Sequence, residues 1–209
     1  MLTFYILNFT SCAPAAAFNS YAGLSSFWIG RETDGRKSKK WIARGVECKD
    51  AIEKLASSAS KWNFQNSEYE YACLFVTCIT CCIQIICTPP RFLLLILFLV
   101  ITSSSIYIFV YIYVYIYIEA YLLQAEEQFC SMNFELAEQL YDLAISSSKT
   151  HKFLNEEALA NELAGHFYLD TGRRDASVYY FSQAFDKYNE WGAVAKANML
   201  AKSYLDAER

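Results

Sequence analysis

Between Glu70 and Glu119 the chain carries a single charged residue, Arg91. The hydropathy of that block limits what the chain can become more than any other feature. Residues 92–118 are 27 consecutive uncharged positions. As a helix they would rise about 40 Å at 1.5 Å per residue, more than the roughly 30 Å of bilayer hydrocarbon. Residues 71–90 supply another 20. Two candidate transmembrane spans, joined at Pro89-Pro90-Arg91 with Arg91 reaching toward headgroups, therefore fit the block. Lys54 and Lys61 are the basic residues within about 20 positions of a span end, a bias toward a cytoplasmic N-terminal side.

The order of residues inside the block supports two other readings. From 107 to 117 the odd positions are Tyr107, Phe109, Tyr111, Tyr113, Tyr115 and Tyr117, and the even positions from 106 to 118 are all Ile or Val. On a pleat this alternation puts every ring on one face, a β pattern that is an aggregation hazard if left unpaired. A TA dinucleotide repeat also translates as alternating Tyr and Ile, and one A-to-G change gives Val, so the block is a retained-intron candidate. On that reading it is a passenger beside the helical core, and "AYLLQAEE" resumes the module.

Overall averages of 55% hydrophobic and 19% charged residues conceal this division. The net charge of −4 and the absence of a long basic run leave no electrostatic footprint for nucleic acid. Five of the eight cysteines, Cys73, Cys78, Cys81, Cys82 and Cys87, lie in the apolar block and say little about redox compartment. The start, "MLTFYILNFTSCAPAAAF", has an Ala-rich site but lacks the basic n-region of a secretory signal. Asn8-Phe9-Thr10 is formally a glycosylation sequon.

Residues 119–209 are a different material, rich in Ala, Glu, Leu and Tyr. Asn133 is placed to cap a helix through "FELAEQLYDLAISSSK", in which Phe134, Ala137, Tyr141, Ala144 and Ile145 share a face. The Ser146-Ser147-Ser148 run weakens it, and Asn155 offers a second cap before "NEEALANELAGHFYLDTG", stopped at Gly172. A third helix covers "RRDASVYYFSQAFDKYNEW" and a fourth "AVAKANMLAKSYL". Ala137, Tyr141 and Ala144 match Ala176, Tyr180 and Ala184 at offsets of 39, 39 and 40 residues. Small residues that let backbones approach, with a ring one turn later, are what a stacked helical hairpin requires. Upstream, Ala51, Ile52, Leu55 and Ala59 predict a helix over 48–60.

"FWIGRETD" (27–34), "KWNFQN" (61–66), "YLLQAEE" (121–127), "EEALANELAGHFYLDTG" (156–172) and "YNEWGAVAKANML" (188–200) resemble the TPR-like helical region of large multidomain signalling proteins. Those proteins join a protein-kinase-like module and a STAND-type ATPase to this array, often with a GAF domain and a sensor histidine kinase. The resemblance covers most of 20–70 and 119–205, and it implies a noncatalytic connector. No P-loop, kinase loop, GAF or histidine-kinase segment is present, so none of the family's chemistry transfers to a residue here. In the family "WNFQN" runs almost directly into the "LL-x-AE" helix, whereas here about fifty residues intervene.

Candidate chemistry is sparse. Cys73-x4-Cys78-x2-Cys81, with Cys82 or Cys87, matches iron-sulfur spacing but lacks the glycine-containing loop such a cluster needs. His151 and His166 lack metal-site spacing, and His166 reads as a boundary residue. Glu126-Glu127 and Glu156-Glu157 are adjacent and cannot converge on one substrate, so no carboxylate dyad is argued. Tyr141, Phe167, Tyr180 and Trp191 read as core.

The expectation is an all-α chain of stacked antiparallel, TPR-like helical hairpins with an inserted hydrophobic, candidate transmembrane segment. Its parts are 1–19 (unassigned), 20–70 (N-terminal helical part), 71–118 (apolar insertion) and 119–209 (repeat region). The function expected is a nonenzymatic scaffold or connector fragment, with no catalytic, cofactor or metal residues. Its partner is an unidentified protein and not nucleic acid. A membrane joins through 71–118 if the chain is translated as written, and the location is cytoplasmic if the insertion is absent. The alternatives are a membrane-anchored protein with a soluble, partner-binding helical tail and, third, a redox enzyme using the cysteine cluster.

Overall fold

The computed structural model describes residues 2–57 and 111–205, with side chains from Ala15 onward. Among these residues there is no strand. The helices are α1 (Leu2–Glu32), α2 (35–57), α3 (111–130), α4 (Phe134–His151), α5 (Leu154–Asp170), α6 (Arg174–Trp191) and α7 (Val194–Leu200). A π-helical turn, Ala201–Leu205, continues α7. The all-α expectation holds. No described helix is long and apolar enough to cross a membrane. Residues 71–110, the cysteine cluster and "KWNFQN" lie outside the described residues.

The end of the tyrosine ladder corrects two expectations. Residues 111–118 are helical rather than extended, and they run without a break into "EAYLLQAEE". A period of two is also a period of four, so on a helix the alternation yields stripes one turn apart. Tyr113, Tyr117 and Tyr121 form one, with successive ring centroids 4.7 and 6.3 Å apart. Tyr111 and Tyr115 form another, both against Phe153. Ile112 and Ile116 are buried in the same cluster as Ala137, with Ala176 packed against it. The described end of the apolar block is therefore core and not a passenger, since Ile112 and Ile116 share a cluster with Phe27 of α1 and Phe167 of α5.

That cluster draws Phe27 from α1, Ile52 from α2, Leu122 and Leu123 from α3, Tyr141 from α4 and Phe167 from α5. A smaller one, built on Phe181, Ala184, Tyr188, Ala197 and Leu200, joins α6 to α7 and to Ala158. Glycine sets the closest approach in the first hairpin. A β carbon on Gly45 would lie 2.7 Å from the ring of Phe27, so α2 sits on α1 only because that carbon is missing. The helix expected over 48–60 begins earlier, at residue 35.

From α3 onward the backbone repeats every forty residues. Asn133 and Arg173 donate the same turn bonds, from their backbone N–H to Gln128 O (2.9 Å) and Tyr168 O (2.8 Å) respectively. Phe153 N to Ser148 O (2.9 Å) recurs as Ala193 N to Tyr188 O (2.8 Å), and Glu157 N to Phe153 O (2.8 Å) as Ala197 N to Ala193 O (3.1 Å). Buried α4 positions Ala137, Tyr141, Ala144 and Ser148 correspond to Ser177, Phe181, Ala184 and Tyr188 of α6. The offset is thus 40 throughout, and the 39-residue matches of Ala137 and Tyr141 to Ala176 and Tyr180 are out of register by one.

Two expected caps also differ. Asn133 precedes α4, but its side chain donates to Gln128 Oε1 at 3.0 Å and makes no cap bond. Asn155 lies inside α5, which starts at Leu154, and donates to Glu156. Gly172 stops α5 as expected, at φ +77°. The serine run does not interrupt α4: Ser146 and Ser148 turn their hydroxyls back onto the carbonyls of Leu143 and Ala144.

Candidate functional site

Among the described residues five glutamates are buried: Glu119, Glu126, Glu156, Glu157 and Glu162. Burying a carboxylate is costly unless donors replace water. Three of the five have a cation. Arg31 pairs with Glu126, whose other oxygen accepts from Tyr141 Oη at 2.7 Å. Lys187 lies 3.6 Å from Glu157. Lys196 donates to Glu162 at 2.6 Å and Tyr188 Oη does so at 2.6 Å. These groups tie helices together: α1 to α3 and α4, α5 to α6 and α7.

Glu119 and Glu156 are the exceptions. Glu119 is 1% exposed; its Oε2 accepts from Ser20 of α1, and its Oε1 has no hydrogen-bond partner among the described residues. Glu156 is 3% exposed; its Oε1 accepts from Asn155, and its Oε2 likewise has no partner among the described residues. Burial pushes the Glu119 carboxyl up to about 7, against the Ser20 bond and the neighbouring Tyr115 hydroxyl, with the charge of Glu156 adding to the rise. Burial also raises Glu156, against its own backbone N–H and Asn155.

Glu156 lines a cavity of about 420 Å³ together with Ala17, Tyr21, Tyr111, Tyr115 and Phe153. α3 supplies its tyrosines from one stripe, and the turn before α5 supplies Phe153, which is buried. Tyr111 and Phe153 have ring centroids 4.4 Å apart, and Tyr115 lies 6.3 Å from Phe153. Tyr21 and Tyr111 are exposed. Burial raises the Tyr115 hydroxyl far above the usual phenol range, followed by the charges of Glu119 and Glu156; the same three causes raise Tyr21. Aromatic walls and one carboxyl oxygen without a donor are the elements of a cation receptor.

The residues singled out in the sequence fall elsewhere. His166 lies edge-on to Trp28, Phe181 and Tyr204 at 4.8, 5.0 and 5.1 Å, and burial lowers its pKa. His151 is exposed, its Nδ1 2.9 Å from Ser147 O. Tyr141 and Phe167 are core, Tyr180 is half-buried and stacked on Tyr168 at 4.9 Å, and Trp191 is exposed. No group of metal-ligating side chains exists among the described residues. Glu156, set aside in the sequence with its neighbour Glu157, is instead associated with Glu119, which lies on a different helix. The available signal was Glu119 one turn after Tyr115, an acid at the end of an uncharged run. Compared with known proteins, the chain matches no family model, no curated protein and no solved structure.

Proposed function

We propose that the chain is a noncatalytic helical-repeat scaffold or connector that holds a protein partner, with its hairpins stacked in a TPR-like manner. The observation that carries this reading is the forty-residue recurrence of both turns, hydrogen bond for hydrogen bond, from α3–α4 through α5–α6 into α7. Hairpins repeated at constant register stack in one direction and present an extended face, which is the surface such arrays use for recognition. An open groove of about 740 Å³ at the turn ends, lined by Phe134, Glu135, Glu138, Asp170 and Arg173, belongs to that face. Membrane attachment through 71–118 rests on the length and hydropathy of that block alone.

Affinity purification of the full chain from its own cells, beside a variant carrying Glu135→Lys and Asp170→Lys, tests the reading. The expected result is a stoichiometric protein that is recovered with the chain and lost with the variant. A chain that recovers no stoichiometric protein would overturn it.

A further inference from the structure

We propose that the cavity between α1, α3 and the start of α5 takes an organic ammonium ion, of the kind a lysine side chain presents, held on Glu156 between Tyr111, Tyr115 and Phe153. The argument begins with the contrast among the buried acids. Glu126, Glu157 and Glu162 are each matched by a cation from a neighbouring helix, while no described lysine or arginine pairs with Glu119 or Glu156. Two acids nearly out of water, each with an oxygen lacking a donor, form the one place in the described core where positive charge is owed. Glu156 opens on the cavity, and Glu119 lies on α3 one turn beyond Tyr115 in its wall. A cation entering there meets the faces or edges of three rings, and attraction to a ring is strongest when both are withdrawn from water.

The free valences also choose the kind of cation. Glu156 has one oxygen taken by Asn155 and one without a partner. A guanidinium achieves its advantage by bridging both oxygens of one carboxylate with a planar fork, and here one of the two already accepts from Asn155. An ammonium is a compact charge with three donors and needs only one oxygen from each acceptor. Its apolar stem would lie along Ala17 and Ile112 at the cavity wall. That the ammonium comes from a protein rests on the scaffold reading; the site itself does not.

The test titrates N-acetyl-lysine methylamide into the full chain, with the norleucine and arginine counterparts as controls, following heat or tyrosine fluorescence. Saturable binding of the lysine compound is expected, with the other two weaker by at least about tenfold. Glu156→Gln removes a carboxylate that burial disfavours, and Tyr111→Leu alters a ring that is 61% exposed, so both variants leave the core intact. Each should weaken the lysine compound at least about fivefold. Equal binding of the norleucine compound, tighter binding of the arginine compound, or no saturation by the lysine compound would overturn the assignment. A chain that binds free lysine derivative yet recovers no partner from cells supports the site and sinks only the scaffold reading.

Discussion

Phe181 occupies in the α5–α6 hairpin the place Tyr141 holds in the α3–α4 hairpin, and its ring lies 2.7 Å from where a β carbon on Gly165 would sit. The equivalent of Gly165 forty residues earlier is Ala125, fully buried and already carrying that carbon. Gly165→Ala therefore gains about 1 kcal/mol of helix propensity but forces a buried ring to move, a cost of about 1–3 kcal/mol. The expected result is a net loss of stability in denaturant unfolding, reduced when Phe181→Leu is added. A stabilised Gly165→Ala chain would mean that the ring is not held there.

Arg31 and Glu126 join α1 to α3 across 95 residues of sequence, with Tyr141 donating to the same carboxylate. Glu126 and, against the cost of its burial, hydrogen bonding to it raise the Arg31 guanidinium, which also lies 4.4 Å over the ring of Phe129. Arg31→Met leaves a buried carboxylate with a phenol as its remaining donor, which should cost about 3 kcal/mol. Adding Glu126→Gln removes the stranded charge and keeps an acceptor for Tyr141, so the double variant should be more stable than Arg31→Met alone. Additive losses in that double-mutant cycle would show that the pair is uncoupled.

The turns after α3 and α4 differ from their counterparts after α5 and α6 in one residue each that matters. Met132 adopts φ +60° where its counterpart Gly172 adopts φ +77°, and Lys152 adopts φ +60° where Gly192 adopts φ +92°. Left-handed backbone costs an L-residue about 1 kcal/mol and costs glycine nothing. Met132→Gly should thus stabilise the chain by up to about 1 kcal/mol, since the Met132 side chain is exposed and loses no packing. Gly172→Ala should destabilise it by a similar amount. Thermal unfolding of the two variants reads both signs, and a shift of Met132→Gly to lower temperature would contradict the shared turn geometry.

What the sequence revealed depended on whether local pattern and tertiary environment agreed. Helix α4 is legible from its apolar stripe, and α5 and α6 from the glycines Gly172 and Gly192 that stop them. The repeat register was misread by one residue because Ala176 and Tyr180 match Ala137 and Tyr141 by identity, whereas burial pairs Ser177 and Phe181 with them. The helix at 111–118 was hidden because alternating Tyr and Ile fits a pleat as well as it fits two helical stripes. The cavity was invisible for another reason. Ser20, Glu119 and Glu156 come from three helices, and no spacing along the chain signals a carboxyl with one oxygen lacking a donor among the described residues.

Glu119 also sets a pH dependence opposite to the usual one for an acid. Its folded carboxyl titrates at about 7 against 4.5 for the free side chain, so between those values the folded chain holds a proton that the unfolded chain has released. Stability is therefore fully present below about pH 4.5 and is lost as pH rises toward 7, by about 3 kcal/mol. Glu156 acts in the same direction. His166, lowered by burial, acts in the opposite sense as it deprotonates, and Glu138, lowered first by Arg173, acts below this window. Comparing the wild-type chain with Glu119→Gln removes those shared contributions. The two should be nearly equal in stability at pH 4, and the variant should lead increasingly up to pH 8. A difference that stays flat across that range would show that the Glu119 carboxyl is solvated rather than buried behind Tyr115.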